Sequence, residues 1–205
     1  MAKVQNIREK VHLPIYDALF VEEKKKFGAV MNGQRSIRFF VDVQNKTRLE
    51  TNLQASGVLS SLNEFEARAM RVVFSSLHRF DPKDKTLKPE FNEAELLADF
   101  INNSVTTLFV GEKVMMEMPT WFFPSGAGVL SASPSVSTHG DPNPRATFHF
   151  AEPVFIDKQQ SFRVEILFPQ GVPGQGSSDP HRLANAEGPI RIWVVLDGYL
   201  TRDVQ

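Results

Sequence analysis

The sequence predicts an all-β protein with one sandwich domain, and three observations support this prediction. Apolar side chains alternate with polar ones in residues 162–168 and again in residues 190–196, which is the period of a half-buried strand. Between these segments, residues 169–180 are rich in glycine and proline, so they favour a surface loop over a helix or a ladder. A length of 205 residues suits a single all-β domain.

The first predicted strand covers residues 35–43. Its odd-numbered apolar side chains share one face, and Arg38 and Asp42 lie on the other face. Phe40 interrupts that polar face. The preceding residues 1–34 are assigned to an extended N-terminal arm, and residues 35–205 are assigned to the sandwich domain.

The middle of the chain contains a strand with a change of phase and one short helix. In residues 64–75 the apolar positions change from odd to even numbers, which requires either a β-bulge or a strand buried on both faces. Residues 92–101 have a helical pattern, with Asn92 at the N-cap position. The apolar stripe of this helix is expected to pack against the sandwich and consists of Leu96, Leu97, Phe100 and Ile101.

Later strands and loops follow from the same patterns. The remaining predicted strands cover residues 105–110, 114–123, 146–156, 161–168 and 190–196. Two segments rich in glycine, proline and serine are predicted to be long surface loops, residues 125–145 and 171–188.

Composition excludes several classes of protein. The chain has no cysteine, so it can be neither a disulfide scaffold nor a protein with a cysteine-ligated metal. Lysine and arginine number 23 against 24 acidic residues, which gives no overall field for nucleic acid or an anionic membrane. The first ten residues lack the apolar core of a signal peptide, and no apolar run is long enough for a membrane-spanning helix. We therefore expect neither a signal peptide nor a transmembrane segment.

Catalytic and metal-binding patterns are weak. Five histidines are scattered, and none shares a metal-ligand spacing with another. His149 and Glu152 come nearest to a metal pair, but the position where a cupin would have a second histidine is Thr147. The sequence therefore predicts a protein that is not an enzyme and that needs no metal, cofactor or small-molecule substrate.

A charged segment, Glu22-Glu23-Lys24-Lys25-Lys26, has three consecutive lysines that could bind an anionic group. Lys24, Lys25 and Lys26 could each contact a phosphate backbone or a lipid headgroup. The simpler interpretation is a solvated segment with a helical pair between Glu22 and Lys26. This simpler interpretation is favoured.

Consecutive aromatic residues at two places suggest a subunit interface. Successive strand residues point to opposite faces, so Phe122 cannot share a side with Trp121 and Phe123, and Phe40 cannot share one with Phe39. The second face must be covered either by the helix or arm of the same chain or by a neighbouring subunit. Phe40, Phe122 and Trp121 are the candidate interface residues.

Three groups of residues resemble jelly-roll capsid proteins of tailless icosahedral bacteriophages. The first is Glu50-Thr51-Asn52-Leu53, followed by Gly57-Val58-Leu59 and a strand from Phe65. The second is Pro153-Val154-Phe155-Ile156, leading into Gln160-Ser161-Phe162-Arg163-Val164-Glu165. The third is the C-terminal run Ile192-Trp193-Val194-Val195-Leu196-Asp197-Gly198-Tyr199-Leu200-Thr201-Arg202. The resemblance begins near Arg35 and covers most of the chain that follows.

The resemblance implies a fold, a function and a set of partners. The implied fold is a single jelly roll of about eight antiparallel strands in two sheets, with one short helix and the N-terminal arm. The implied function is that of a virion structural protein, a capsid subunit that assembles with copies of itself into an icosahedral shell. Its partners would be other copies in a capsomer and other capsid proteins, with a weak contact to the genome or to an internal membrane. Its location would be the virion, after synthesis in the host cytoplasm.

A second hypothesis from a different class stays open. The same sandwich could be a carbohydrate-binding adhesin or a tail-associated module that binds through the two long loops. Against this hypothesis, the chain has 17 phenylalanines but only 2 tyrosines and 2 tryptophans, which favours dry packing over sugar-stacking platforms.

Overall fold

The computed structural model describes residues 8–59, 63–76, 93–126, 143, 145–179 and 181–203. Within these ranges the chain forms nine strands, two α-helices and two short 3-10 helices. The strands are β1 (Arg8–His12), β2 (Ile15–Val21), β3 (Ser36–Phe39), β4 (Glu64–Ser76), β5 (Val105–Val110), β6 (Lys113–Pro119), β7 (Phe148–Ile156), β8 (Phe162–Leu167) and β9 (Ile190–Asp203). The α-helices are α1 (Phe27–Met31) and α2 (Glu93–Asn102), and the 3-10 helices are Thr120–Phe122 and Leu183–Asn185.

The strands form two antiparallel sheets. The first sheet has the order β1-β9-β4-β7, with β2 also paired to β9, and the second sheet has the order β3-β8-β5-β6. β1 and β2 pair with successive parts of β9, and the Leu13 N–H donates to the Gly198 carbonyl between them at 3.2 Å. They act as one interrupted strand, so the sandwich has eight strand positions, as predicted.

The connectivity is that of a jelly roll. Each connection between consecutive strands passes from one sheet to the other, except β1 to β2 and the β5–β6 hairpin. Neighbours within a sheet therefore come from distant parts of the chain, as in two interlocked Greek keys. The predicted all-β sandwich is confirmed.

The core lies between the two sheets. Val164 and Ile166 of β8 face Ile192 and Val194 of β9, and all four side chains are fully buried. The alternation in these two segments is the pattern from which the sandwich was predicted. Because the inner faces carry the large apolar residues, their burial supplies most of the favourable free energy of folding.

Strand β4 contains a bulge, the first of the two alternatives that its sequence left open. Its register with β9 shifts between Ala67 and Ala69, so that Arg68 has no direct partner. The shift moves the buried positions from Phe65 and Ala67 to Met70 and Val72. A bulge therefore explains the change of phase in the sequence.

Helix α2 packs on the sandwich through the predicted stripe. Leu96 and Phe100 are buried, and the Phe100 ring lies 5.5 Å from the Phe74 ring and 5.9 Å from the Phe168 ring. Asn92, the predicted N-cap, lies outside the described residues. No helix in the described part of the chain is long and apolar enough to cross a membrane.

The N-terminal segment differs from the predicted arm. From residue 8 onward it contains β1, β2 and α1, and Ile15, Val21 and Phe27 are part of the core. The sequence of β2 does not show apolar–polar alternation, because the polar residue Asp17 occupies an inward position between Ile15 and Leu19. Residue 34 is therefore not a boundary between an arm and a folded domain.

The two predicted loops have different outcomes. Residues 171–188 contain no strand within their described part, but the segment packs against the core with five buried side chains, Val172, Pro173, Leu183, Ala184 and Ala186. Of residues 125–145, only 125, 126, 143 and 145 are described, so that prediction falls largely outside the described residues.

Candidate functional site

Phe40 belongs to the core, so the prediction that it lies at a subunit surface is wrong. Its side chain is 0% exposed, and its ring lies 5.3 Å from the Phe162 ring. The backbone φ of Phe40 is +69°, in the left-handed region. Since alternation holds only for extended backbone, this turn brings Phe39 and Phe40 to the same side.

A buried carboxylate holds the backbone at Phe40. Asp17 is fully buried, and its Oδ2 accepts the Phe40 N–H at 2.7 Å. The Lys46 ammonium donates to both carboxylate oxygens, at 2.8 and 2.9 Å. These bonds compensate the burial of the charge and fix the chain after β3 against β2. The sequence signal for this arrangement is a single aspartate in an apolar run, and the pattern of alternation alone does not reveal its role.

Trp121 is the predicted interface residue that stays exposed. β6 ends at Pro119, and residues 120–122 form a 3-10 turn, so the strand alternation assumed for this segment does not apply. Phe123 is buried and Phe122 is partly buried against the core, whereas Trp121 is 52% exposed and stacks on Phe122 at 4.1 Å.

Lys24, Lys25 and Lys26 are all exposed, in a bend that precedes α1. Lys25 pairs with Glu22 at 2.8 Å, in place of the helical Glu22–Lys26 pair. Lys26 forms an isolated β-bridge with Glu187. The segment is therefore anchored to the loop before β9, and its contact with a phosphate group stays a prediction.

The histidines do not form a metal centre in the described part of the chain. His149 is an exposed residue of β7, and no group of three or more described His, Asp or Glu residues could hold a metal ion. His12 instead pairs with Asp197, with Nε2 and Oδ1 2.6 Å apart. The sequence could not show this pair because 185 residues separate its members.

Strand β1 pairs with β9 through its backbone, and its side chains add ion pairs to the sandwich. None of its side chains is buried, and it contributes nothing to the core. Arg8 donates to Glu64 at 2.7 Å and lies 3.4 Å from Asp203. Further ion pairs join β1 to its neighbours, Lys10–Glu66 and Glu9–Arg202. The hydrogen bond from Arg8 lowers the pKa of Glu64, and those from Lys10 and Arg68 lower the pKa of Glu66.

These lowered pKa values predict an acid-sensitive attachment of β1. The stabilisation from Glu64 and Glu66 is complete well above the unfolded-state pKa of about 4.5 and is lost as the pH falls through the lower folded-state pKa. We expect the double variant Glu64→Gln/Glu66→Gln to unfold at lower urea concentration than wild type at pH 7, with the difference shrinking towards pH 3. Urea titrations at a series of pH values measure this.

Glu112→Gln, which removes an exposed carboxylate from the β5–β6 turn, is the control for this experiment. The prediction is contradicted if the urea midpoint of the wild type exceeds that of the double variant by the same amount at every pH from 7 to 3.

The second sheet has β3 and β6 as its edge strands. β3 and β6 each pair with one strand, β8 and β5 respectively. Beyond the C-terminal end of β3, at the start of β8, lies an open pocket of about 250 Å³, lined by Val41, Ser56, Gly57, Ser161, Phe162 and Arg163. At β6, Val114 and Met115 are 54% and 42% exposed. This sheet therefore presents apolar surface at one edge and a concave site at the other.

No protein-family model matches the chain, and no curated protein matches it significantly. The function is therefore inferred from the fold and from the geometry of the surface.

Proposed function

We propose that this chain is a virion structural protein, a jelly-roll capsid subunit that associates with copies of itself to form an icosahedral shell. The strand order carries the proposal. A single jelly roll of eight strand positions, with β9 and β4 at the centre of one sheet and β8 and β5 at the centre of the other, is an architecture of viral capsid domains.

The positions of the motifs add support. The segment that resembles capsid proteins at residues 153–165 is the end of β7, the turn that crosses between the sheets, and the start of β8. The C-terminal motif forms β9, which pairs with β1, β2 and β4. These segments build the sandwich, which is what a family of structural proteins would retain.

The two edge strands of the second sheet, β3 and β6, are suited to contacts between subunits that pack side by side. A shell subunit must present surface at two or more flanks, since each copy contacts several neighbours. Here each edge strand of the second sheet pairs with one strand among the described residues, and exposed apolar side chains lie at or near these edges, among them Val41, Val114 and Met115. Other capsid proteins are proposed as further partners, and the virion is the proposed location.

Self-association is the property to test. The purified protein is expected to form oligomers or closed shells, visible by sedimentation velocity and negative-stain electron microscopy. A chain that stays monomeric up to about 1 mM, where contacts of about −4 kcal/mol would be detected, contradicts the proposal. A monomer that binds ligands on a glycan array would support the carbohydrate-binding alternative instead.

A further inference from the structure

The outer face of the second sheet carries a row of polar residues that runs from one edge to the other. Arg38 of β3 lies opposite Glu165, which lies opposite Thr107, which lies opposite Glu117 of β6. Arg38 is 3.8 Å from Glu165, and its side chain is 64% exposed. The Thr107 hydroxyl donates to Glu117 at 3.3 Å. The row therefore begins with a cation at the β3 edge and ends with an anion at the β6 edge.

The next row along the same face has apolar side chains at the β6 edge and a pocket at its other end. Arg163 of β8 lies opposite Phe109, which lies opposite Val114 of β6. Beyond Val114, Met115 lies at the register shift between β5 and β6. At the opposite end of this row, Val41 and Arg163 line the pocket of about 250 Å³. A cavity of about 150 Å³ can hold a benzene ring, so this pocket has room for an aliphatic side chain.

The polar row and the apolar row follow each other in the same order at the β3 edge and at the β6 edge. Each strand of this sheet is antiparallel to its neighbours, so β3 and β6 run in opposite directions along the sheet. A second copy that is turned about an axis parallel to the strands presents its β3 beside β6 of the first copy. Glu117 then lies at the level of Arg38 of the next copy, and Val114 and Met115 lie at the level of its pocket.

We propose that copies of this chain associate head to tail, with the β6 edge of one against the β3 edge of the next. Glu117 pairs with Arg38 of the next copy, and Val114 and Met115 pack at its Val41 pocket. The two surfaces differ, so the contact is heterologous and closes into a ring when the rotation permits. This contact rests on the proposed function, because it assumes self-association.

Charge reversal tests the contact directly. Arg38→Glu places two glutamates at each contact and Glu117→Arg places two arginines there, so each variant should raise the dissociation constant at least about tenfold. The double variant restores opposite charges and should associate like wild type. An equimolar mixture of the two single variants should also recover, because every contact between unlike copies joins residues 38 and 117 of opposite charge.

The controls separate charge, folding and packing. Arg145→Glu makes the same change in net charge as Arg38→Glu at an exposed site before β7, and circular dichroism checks that each variant is folded. Met115→Ser should weaken association, whereas Leu49→Ser, at another exposed apolar residue, should not.

Sedimentation velocity over a concentration series gives the outcome. Loss in both single variants with recovery in the double variant and in the mixture supports the contact. Association that is insensitive to these changes, or that the double variant fails to recover, overturns the contact and leaves the proposed function standing. A wild-type chain that never associates contradicts the proposed function itself.

Discussion

Replacing Asp17 by Ala is expected to lower the free energy of unfolding by about 3 kcal/mol or more. The substitution removes the acceptor of the buried Phe40 N–H and leaves the Lys46 ammonium, largely buried, without its anion. Breaking a buried ion pair costs more than the pair contributed, because the remaining charge is desolvated and uncompensated. Urea denaturation followed by circular dichroism measures the change through the midpoint and the slope.

A neighbouring carboxylate provides the comparison. Glu50 is a partly exposed residue that accepts bonds from the Thr47 backbone and hydroxyl at 2.8 and 2.9 Å. Glu50→Ala should cost only about 1 kcal/mol, the usual net value of such hydrogen bonds. If Asp17→Ala costs no more than Glu50→Ala, the carboxylate does not hold the left-handed turn at Phe40.

The sequence predicted the strands wherever the backbone is extended and the inward residues are apolar. β8 and β9 satisfy both conditions, and alternation identified them. β2 fails the second condition, because Asp17 faces inward. The segment at Phe40 fails the first condition, because its backbone turns into the left-handed region. In both cases the hydrogen bond from the Phe40 N–H to Asp17 determines the local structure. Its two residues are far apart in sequence, whereas the alternation pattern depends only on residues that are close in sequence.

The candidate contact surface could not be predicted for a related reason. Its polar row joins Arg38, Glu165, Thr107 and Glu117, which come from four separate strands. Their alignment depends on the registers of three strand pairs, and a shift of one residue in any pair would turn the members of the row to opposite faces. The sequence offered three aromatic candidates instead, and Trp121 is the one of them that remains prominently exposed.

Replacing Gly198 by Ala is expected to lower the free energy of unfolding by about 3 kcal/mol or more. A Cβ at this position would collide with the Glu66 carbonyl oxygen and would lie 3.0 Å from the Ala67 Cα. These are backbone atoms of β4 in its pairing with β9, so no side chain can rotate away to make room. The strands must separate, and each side of the bulge at Arg68 would lose bonds. Thermal and urea unfolding measure the loss.

Gly33→Ala serves as the comparison for Gly198→Ala. Gly33 has a φ of +77°, and no atom lies within 4 Å of the place where its Cβ would be, so alanine there costs only the strain of the left-handed backbone, about 1–2 kcal/mol. An equal loss at the two positions would mean that β9 moves freely away from β4. A larger loss at Gly198 would explain why glycine occupies this position in the Leu196-Asp197-Gly198 segment, because the backbones of β4 and β9 approach there too closely for any side chain. On that account, the C-terminal segment that resembles capsid proteins is constrained by the pairing of β9 with β4.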